Sequence, residues 1–388
     1  MQHYDIVVCG GGIAGVAAAL AAARRGKKVL LAEKQAILGG LGTSGLIYIY
    51  LPISGDKNEK IASGITEELL KRCPDYSPFG LPENWGGAPG NDCGHAGPRY
   101  LCCFSPAGYA LTLEKMLREA DVDLRFDTSV IGAVCDGNCR ITGVELFCAS
   151  EREKISADCF IDASGGAYLL HMAGARVIPG ENRVTPWVME MNDQPRSRYY
   201  FTGNVGIYPS KDALSDTEKR VAFTAADMQK FYKRQYDIIR STYDTLPAER
   251  QKSCYPLYLP GMAQVRKIAC IAAMTEIKEG FAGVHVNDSV GVAADWRSMA
   301  PSWETPYGAL IPEKIRGALA AGRCICTPGT DAWEVFRVIP AAAMTGEAAG
   351  TAAAMSVSRG IDPADLPVAD LQKELVRTGT ILHIPDAQ

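Results

Sequence analysis

The sequence predicts an α/β protein: a Rossmann-like domain carrying a β-meander insertion, joined to a second α+β lobe that caps it. Three observations predict it. An apolar strand runs directly into Gly10-x-Gly12-x-x-Gly15 and an alanine-rich helix, Glu33 closes the next strand, and the composition shifts to Arg, Lys and Tyr between residues 187 and 284.

Ile6-Val7-Val8-Cys9 is apolar and partly β-branched, as a buried parallel strand requires. Val16 to Ala23 is an Ala/Leu helix, Gly26 sits where its C-terminal cap belongs, and Val29-Leu30-Leu31-Ala32 is the second strand. Residues 45–108 are rich in Gly, Pro and aromatics and read as an access segment of loops, with one helical stretch from Ile61 to Lys71. Leu113, Met116, Leu117 and Ala120 have helical spacing, and Val122, Leu124 and Phe126 then alternate as a strand leading to Val130. Asp136-Gly137 marks a hairpin, followed by strands over Ile141–Cys148 and Ile155–Ile161 and a turn at Asp162-Ala163-Ser164-Gly165-Gly166. The last hundred residues return to α/β character and end in a small-residue helix from Pro340 to Ser358. The expected division is 1–186 and 285–388 as two parts of one nucleotide-binding domain, with 187–284 as the cap lobe.

Hydrophobic residues make up 47% and charged residues 22% of the 388, the balance of a globular chain, which excludes disorder and collagen. A formal charge of −4 provides no general attraction to nucleic acid or anionic membrane, and neither is expected as a partner. Thirteen cysteines, an odd number, make no disulfide framework and read mainly as reduced, buried thiols. Asp5, the missing basic n-region and the run Arg24-Arg25-Gly26-Lys27-Lys28 argue against a signal peptide over Ile6–Ala23. The glycines within it make it a poor membrane span, so a cytoplasmic protein is expected.

The glycine motif carries chemistry because of where it stands. Gly10 permits the tight turn, Gly12 lets the backbone approach a pyrophosphate, and Gly15 allows close helix–sheet packing, with Ile13 and Ala14 opening the helix toward the phosphates. Glu33, eighteen residues after Gly15, can accept the ribose hydroxyls. The same turn and the same acid serve NAD and FAD, and the motif alone does not separate them.

Other stretches do. Glu33-Lys34 followed by Leu38-Gly39-Gly40-Leu41-Gly42-Thr43 resembles the second FAD contact loop of the FAD-dependent oxidoreductase family related to fumarate reductase flavoproteins, which has a glutathione-reductase-type FAD-binding fold. Ile161-Asp162-Ala163-Ser164-Gly165-Gly166 is similar to that family's returning strand and turn. Ala321-Gly322-Arg323-Cys324-Ile325, Arg337-Val338-Ile339-Pro340 and Gly346-Glu347-Ala348-Ala349-Gly350 resemble its C-terminal flavin-binding signature. The resemblance implies noncovalent FAD, with Val130 at the adenine and Lys34, Gly40, Leu41, Thr43 and Ser44 along the pyrophosphate and ribityl chain. It further implies Ala163, Ser164, Gly165, Gly322, Arg323, Arg337, Val338, Ala341 and Ala342 around the flavin. A helix starting at Pro340 would present N–H groups to the flavin N1–O2 edge.

No second strand–Gly-x-Gly-x-x-Gly–helix unit and no Cys-x-x-x-x-Cys pair beside the flavin loop argue against a disulfide-reductase type. A flavin hydroxylase lacks support for want of a Gly-Asp-Ala motif, and Trp296 and Trp303 do not form the Trp-x-Trp pair of tryptophan halogenases. Cys324-x-Cys326 and Cys102-Cys103 read as core thiols, and no metal is expected. Candidates for catalysis are His95 in the access segment, Arg266 and Arg297 as carboxylate clamps, and Tyr307. The expected function is hydride transfer between flavin N5 and a small anionic or polyhydroxylated substrate, with an external electron donor or acceptor. The alternative is an FAD-binding electron carrier that needs a protein partner and turns over no small molecule.

Overall fold

The computed structural model describes residues 2–89, 101–193 and 218–385, and the backbone of 205–209. Strand β1 (Gln2–Cys9), helix α1 (Ile13–Ala23) and strand β2 (Val29–Ala32) form the opening βαβ unit. All four residues of β2 are buried, as expected of a parallel strand covered on both faces. Helix α2 (Gly64–Arg72) lies in the access segment, and α3 (Pro106–Glu119) follows it. Helix α3 starts seven residues before Leu113, the first position of its apolar spacing, because the Ser105 hydroxyl accepts the Gly108 N–H and Pro106 takes the first helical position.

The stretch 122–130 is two strands where the sequence suggested one: β3 (Asp123–Arg125) and β4 (Ser129–Cys135). The break falls at Asp127, whose φ is +49°. Strand β5 (Ile141–Cys148) and the long β6 (Glu151–Asp162) complete a meander with β4, each pair antiparallel.

The next segment builds a three-stranded antiparallel sheet with β7 (Trp187–Asn192) between β8 (Val205–Pro209) and β9 (Cys254–Tyr258). Helix α4 (Ala225–Asp244) buries Phe231 and Ile238 against Val184, Val265 and Ile268, a cluster distinct from the main core. The chain then returns through the antiparallel pair β10 (Ser289–Ala293) and β11 (Trp303–Pro306), strand β12 (Ala318–Ala320), helix α5 (Ile339–Arg359) and helix α6 (Val368–Arg377).

The main sheet runs β3-β2-β1-β6-β5-β4. Strand β1 pairs in parallel with β2 on one side and β6 on the other, aligning Cys9 with Ala32 and with Asp162. The free edge of β6 is divided: its first half pairs with β5, and Phe160–Asp162 pair in parallel with β12. The C-terminal ends of β1, β2, β6 and β12 therefore converge at one sheet end, the position at which ligands bind in open α/β sheets.

Helix α1 is buried from Ile13 to Ala22 and lies against α5. A Cβ on Gly346 would come 2.2 Å from the Ala14 carbonyl oxygen, and one on Gly350 2.1 Å from that of Ala18. The two backbones therefore meet at four-residue spacing, and only glycine fits at either crossing. From the same helix Glu347 reaches the start of α2, where its Oε2 accepts the Ile65 N–H at 2.8 Å. Burial drives its pKa up to about 7 against the opposing effect of that N–H and of Arg25.

Among the described residues no helix is long and apolar enough to cross a membrane. The described cysteines are all free, and most are buried; Cys135, Cys139 and Cys148 on the meander are exposed.

Gly346→Ala is expected to lose about 1–3 kcal/mol in denaturant unfolding, because neither backbone can yield without repacking its helix. Glu347 binds a proton more tightly folded than unfolded, so its contribution to stability is complete below the ordinary carboxylate pKa and is lost as pH rises through about 7. Urea midpoints should accordingly fall between pH 5 and 8, and Glu347→Gln should flatten that fall.

Candidate functional site

A cavity of about 600 Å³ opens at the sheet end where those strands converge. Its floor is the first glycine turn. Gly10 has φ +108°, and a Cβ there would sit 2.7 Å from the Ala163 carbonyl oxygen; a Cβ on Gly15 would sit 1.8 Å from that of Gly10. Gly12 differs: no atom lies within 4 Å of its Cβ position, so its backbone faces open space. Helix α1 then begins at Ile13 without a side-chain cap, and its first N–H groups are left for a ligand in the cavity.

Glu33 lines the cavity and also holds the turn together. Its Oε2 accepts the Gly11 N–H at 2.6 Å and its Oε1 the Gln35 N–H at 2.9 Å. Burial raises its pKa, with those N–H groups and Lys34 acting in the opposite sense. Each oxygen keeps a second lone pair for a hydroxyl donor. The link to Gly11 has no signature in the spacing of the motif, which reads Gly11 as an unconstrained position.

The other walls come from three distant segments. Gly40 and Leu41 approach from the second glycine loop, and Gly39 and Gly12 are joined in a β-bridge. The returning turn is organised by the buried Asp162, whose carboxylate accepts the N–H groups of Ser164 and Leu170 and the Ser164 hydroxyl, and presents Ala163, Ser164 and Gly165 to the cavity. Gly322, Arg323, Arg337, Val338 and Ala342 close it from the C-terminal part, where α5 also starts without a side-chain cap. Lys34, Ile13, Ala14 and Val130 line it as well.

Four of the expected cofactor-binding residues stand outside the lining. Gly15 and the buried Ala341 are packing positions. The Thr43 hydroxyl is bonded to the Leu38 carbonyl oxygen and closes its own loop, while the Ser44 carbonyl accepts the Gly261 N–H at 2.8 Å. The sequence reading in turn missed Tyr168 and His171 and, from the middle segment, Met228, Tyr232, Met262 and Ala263, all of which line the cavity. Nothing in their local spacing marks them.

One end of the cavity is strongly cationic. Half-buried Arg323 donates to the carbonyl oxygens of Val265, at 2.6 Å, and Arg266, at 2.9 Å. Burial and then the charge of Arg337 depress Arg266 to about 9, with Arg323 adding to the effect. Arg323 is lowered too, by burial first and by Arg337. Arg337 is held between the rings of Trp296 and Trp333, its Cζ 5.0 and 5.2 Å from their centroids, and pairs with Glu334 at 2.6 Å. Glu334 is the acid among the causes acting on Arg266; among the described residues neither Arg266 nor Arg323 makes an ion pair.

The catalytic candidates separate clearly. His95 lies outside the described residues. Arg266 borders the cavity through its neighbours but does not line it; its Nη1 donates to the Gln264 carbonyl oxygen at 2.6 Å. Two expectations are corrected. Arg297 is taken up by Asp295 at 2.8 Å and Asp331 at 3.0 Å and does not line the cavity. The Tyr307 ring is buried and its hydroxyl donates to the Pro363 carbonyl oxygen at 2.8 Å, with burial raising its pKa.

The residues present fit a dinucleotide of the FAD type on structural grounds: an open cradle at Gly12, two uncapped helix starts, and a buried carboxylate with lone pairs to spare. The sequence profile of the family described as FAD dependent oxidoreductase matches residues 5–268 and 267–375. Protein FixC of Bradyrhizobium diazoefficiens is 28% identical over 224 residues, covering 53% of this chain and 48% of that protein, so this chain matches about half the length of that relative. Among solved structures, a geranylgeranyl bacteriochlorophyll reductase-like protein of Thermoplasma acidophilum aligns over 97% of this chain and 84% of its own, at 14% identity and a TM-score of 0.48. The p-nitrophenol 4-monooxygenase PnpA of Pseudomonas putida DLL-E4 aligns over the same shares at 12% identity, also with a TM-score of 0.48.

Gly12→Glu puts a carboxylate into the open cradle in front of the α1 N-terminus without straining the backbone, whose φ there is −66°. The variant should purify folded by circular dichroism but with under a tenth of the parent's flavin absorbance. Glu33→Gln should weaken FAD binding by about tenfold, the loss of one charge-assisted hydrogen bond.

Proposed function

Because the chain belongs to the FAD dependent oxidoreductase family, we propose that this enzyme moves two electrons between FAD and a small anionic organic substrate held near Arg266, Arg323 and Arg337. The observation that carries this reading is the guanidinium group of three with one carboxylate, Glu334, among them. An anion relieves the crowding of like charge that lowers Arg266 and Arg323, and a substrate carboxylate is a planar acceptor suited to a guanidinium.

FAD, when bound, supplies two-electron chemistry by hydride transfer at N5 of its ring. The chain's own residues supply the surroundings. Gly12 and the first turn of α1 would receive the pyrophosphate, Glu33 a ribose, and Val130 the adenine end. The start of α5 beside Val338, which has no side-chain cap, would favour negative charge at the opposite end of the cavity. There Met228, Tyr232, Met262 and Ala263, from the segment 187–284, cover the cavity with mostly apolar surface that excludes water, which supports reading that segment as a cap over the substrate. Residues 1–186 and 285–388 would then be the two parts of the FAD-binding domain, and the electrons would pass on to an external carrier.

Anaerobic mixing of the flavin-loaded protein with a panel of carboxylic acids, neutral sugars, NADH and NADPH tests the proposal by bleaching of the flavin absorbance. Reduction by one or more carboxylates, slowed about 10- to 100-fold at subsaturating concentration in Arg266→Ala with FAD content unchanged, is the expected result. Equal rates in parent and variant would remove Arg266 from the anion site. Bleaching by dithionite alone would favour a carrier that needs a protein partner.

A further inference from the structure

On the face that carries β10 and β11, two of the chain's five histidines converge on one buried carboxylate. Glu304, in β11, is 2% exposed. The Nδ1 of His383 lies 2.8 Å from its Oε2 and the Nδ1 of His285 lies 3.5 Å from the same atom. The two imidazole rings are tilted at 34° with centroids 4.6 Å apart, and one donor atom from each residue falls within 4.8 Å of the others. None of the three lines the cavity described above.

We propose that His285, Glu304 and His383 form a binding site for a divalent transition-metal ion of the zinc class. With metal–nitrogen and metal–oxygen bonds of about 2.0–2.2 Å, tetrahedral ligands stand about 3.3–3.5 Å apart. The His285–Glu304 separation already has that value, and His383 needs to withdraw by about half an ångström, exchanging its hydrogen bond for a metal bond.

The surroundings support the assignment. Glu304 Oε2 accepts the Val286 N–H at 2.8 Å and Oε1 the Ile384 N–H at 3.0 Å, so the carboxylate is oriented by the residue that follows each histidine in sequence. Such outer bonds fix first ligands in place and leave Oε2 one further lone pair for the ion. The His285 side chain is 64% exposed and that of His383 40%, so an ion can enter from solvent and water can complete its coordination. Metal binding here would tie residues 381–384 to β11, beside the small cluster of Ile61, Val292 and Ala294 on which Ile381 and Ile384 pack. The inference is independent of the substrate reading.

The test uses tag-free, flavin-loaded protein in which Cys135, Cys139 and Cys148 are changed to serine, so that exposed thiols do not compete. Zinc chloride titrated by calorimetry, with metal content measured after dialysis, is expected to give one ion per chain. His285→Ala, at an exposed position, should lower the zinc affinity at least tenfold with the flavin spectrum and the circular dichroism unchanged, and His383→Ala should do the same. Cobalt chloride should give visible absorption of low-symmetry cobalt in the parent, absent from His285→Ala. Absence of zinc binding, or equal binding in His285→Ala and the parent, overturns the proposal.

Discussion

The backbone contact between α1 and α5 is the constraint on which the rest of the structure depends. Gly346 against Ala14 and Gly350 against Ala18 hold two helices more than three hundred residues apart in sequence at a distance that no side chain permits. This crossing brings the start of α5 to the start of α1. The cavity exists because those two helix ends, with their unsatisfied N–H groups, are fixed around one space at the end of the sheet.

Buried carboxylates perform the finer joining. Glu33 ties the second strand to Gly11 in the first turn, Asp162 shapes the returning turn, and Glu347 ties α5 to the start of α2. Glu304 does the same for the segments that carry His285 and His383. In each case an acid accepts backbone N–H groups from a loop that would otherwise have unpaired donors, which is how a chain with long connections keeps them in one arrangement. Burial raises the pKa of Glu33, Asp162 and Glu347, so this arrangement also makes part of the stability depend on pH.

The arginine group shows the opposite sign of the same physics. Arg266, Arg323 and Arg337 are set close together by the turn at 322–324, the segment at 265–266 and the α5 entrance, and the rings of Trp296 and Trp333 hold Arg337 in place. A positive end to a largely apolar cavity is retained at a cost in folding, since burial and the charge of Arg337 lower the pKa of both Arg266 and Arg323. An enzyme of this family has a use for such a site wherever negative charge enters or develops.

Local sequence alone determined the βαβ opening, the phosphate turn and the meander, because the signals are short-range: period-two strands, Gly10, Gly12 and Gly15 at fixed offsets, and a strand-ending acid. The small-residue helix at the C-terminus was legible for the same reason. Tertiary structure alone decided which long-range partners each side chain meets. It satisfied Tyr307 with the Pro363 carbonyl and Arg297 with two aspartates, turned Thr43 back on its own loop, and placed Met228 and Tyr232 over the cavity. Such pairings join residues that are distant in sequence. They follow from the need of each buried polar group for a partner once packing has set its neighbours, and no local pattern encodes that outcome.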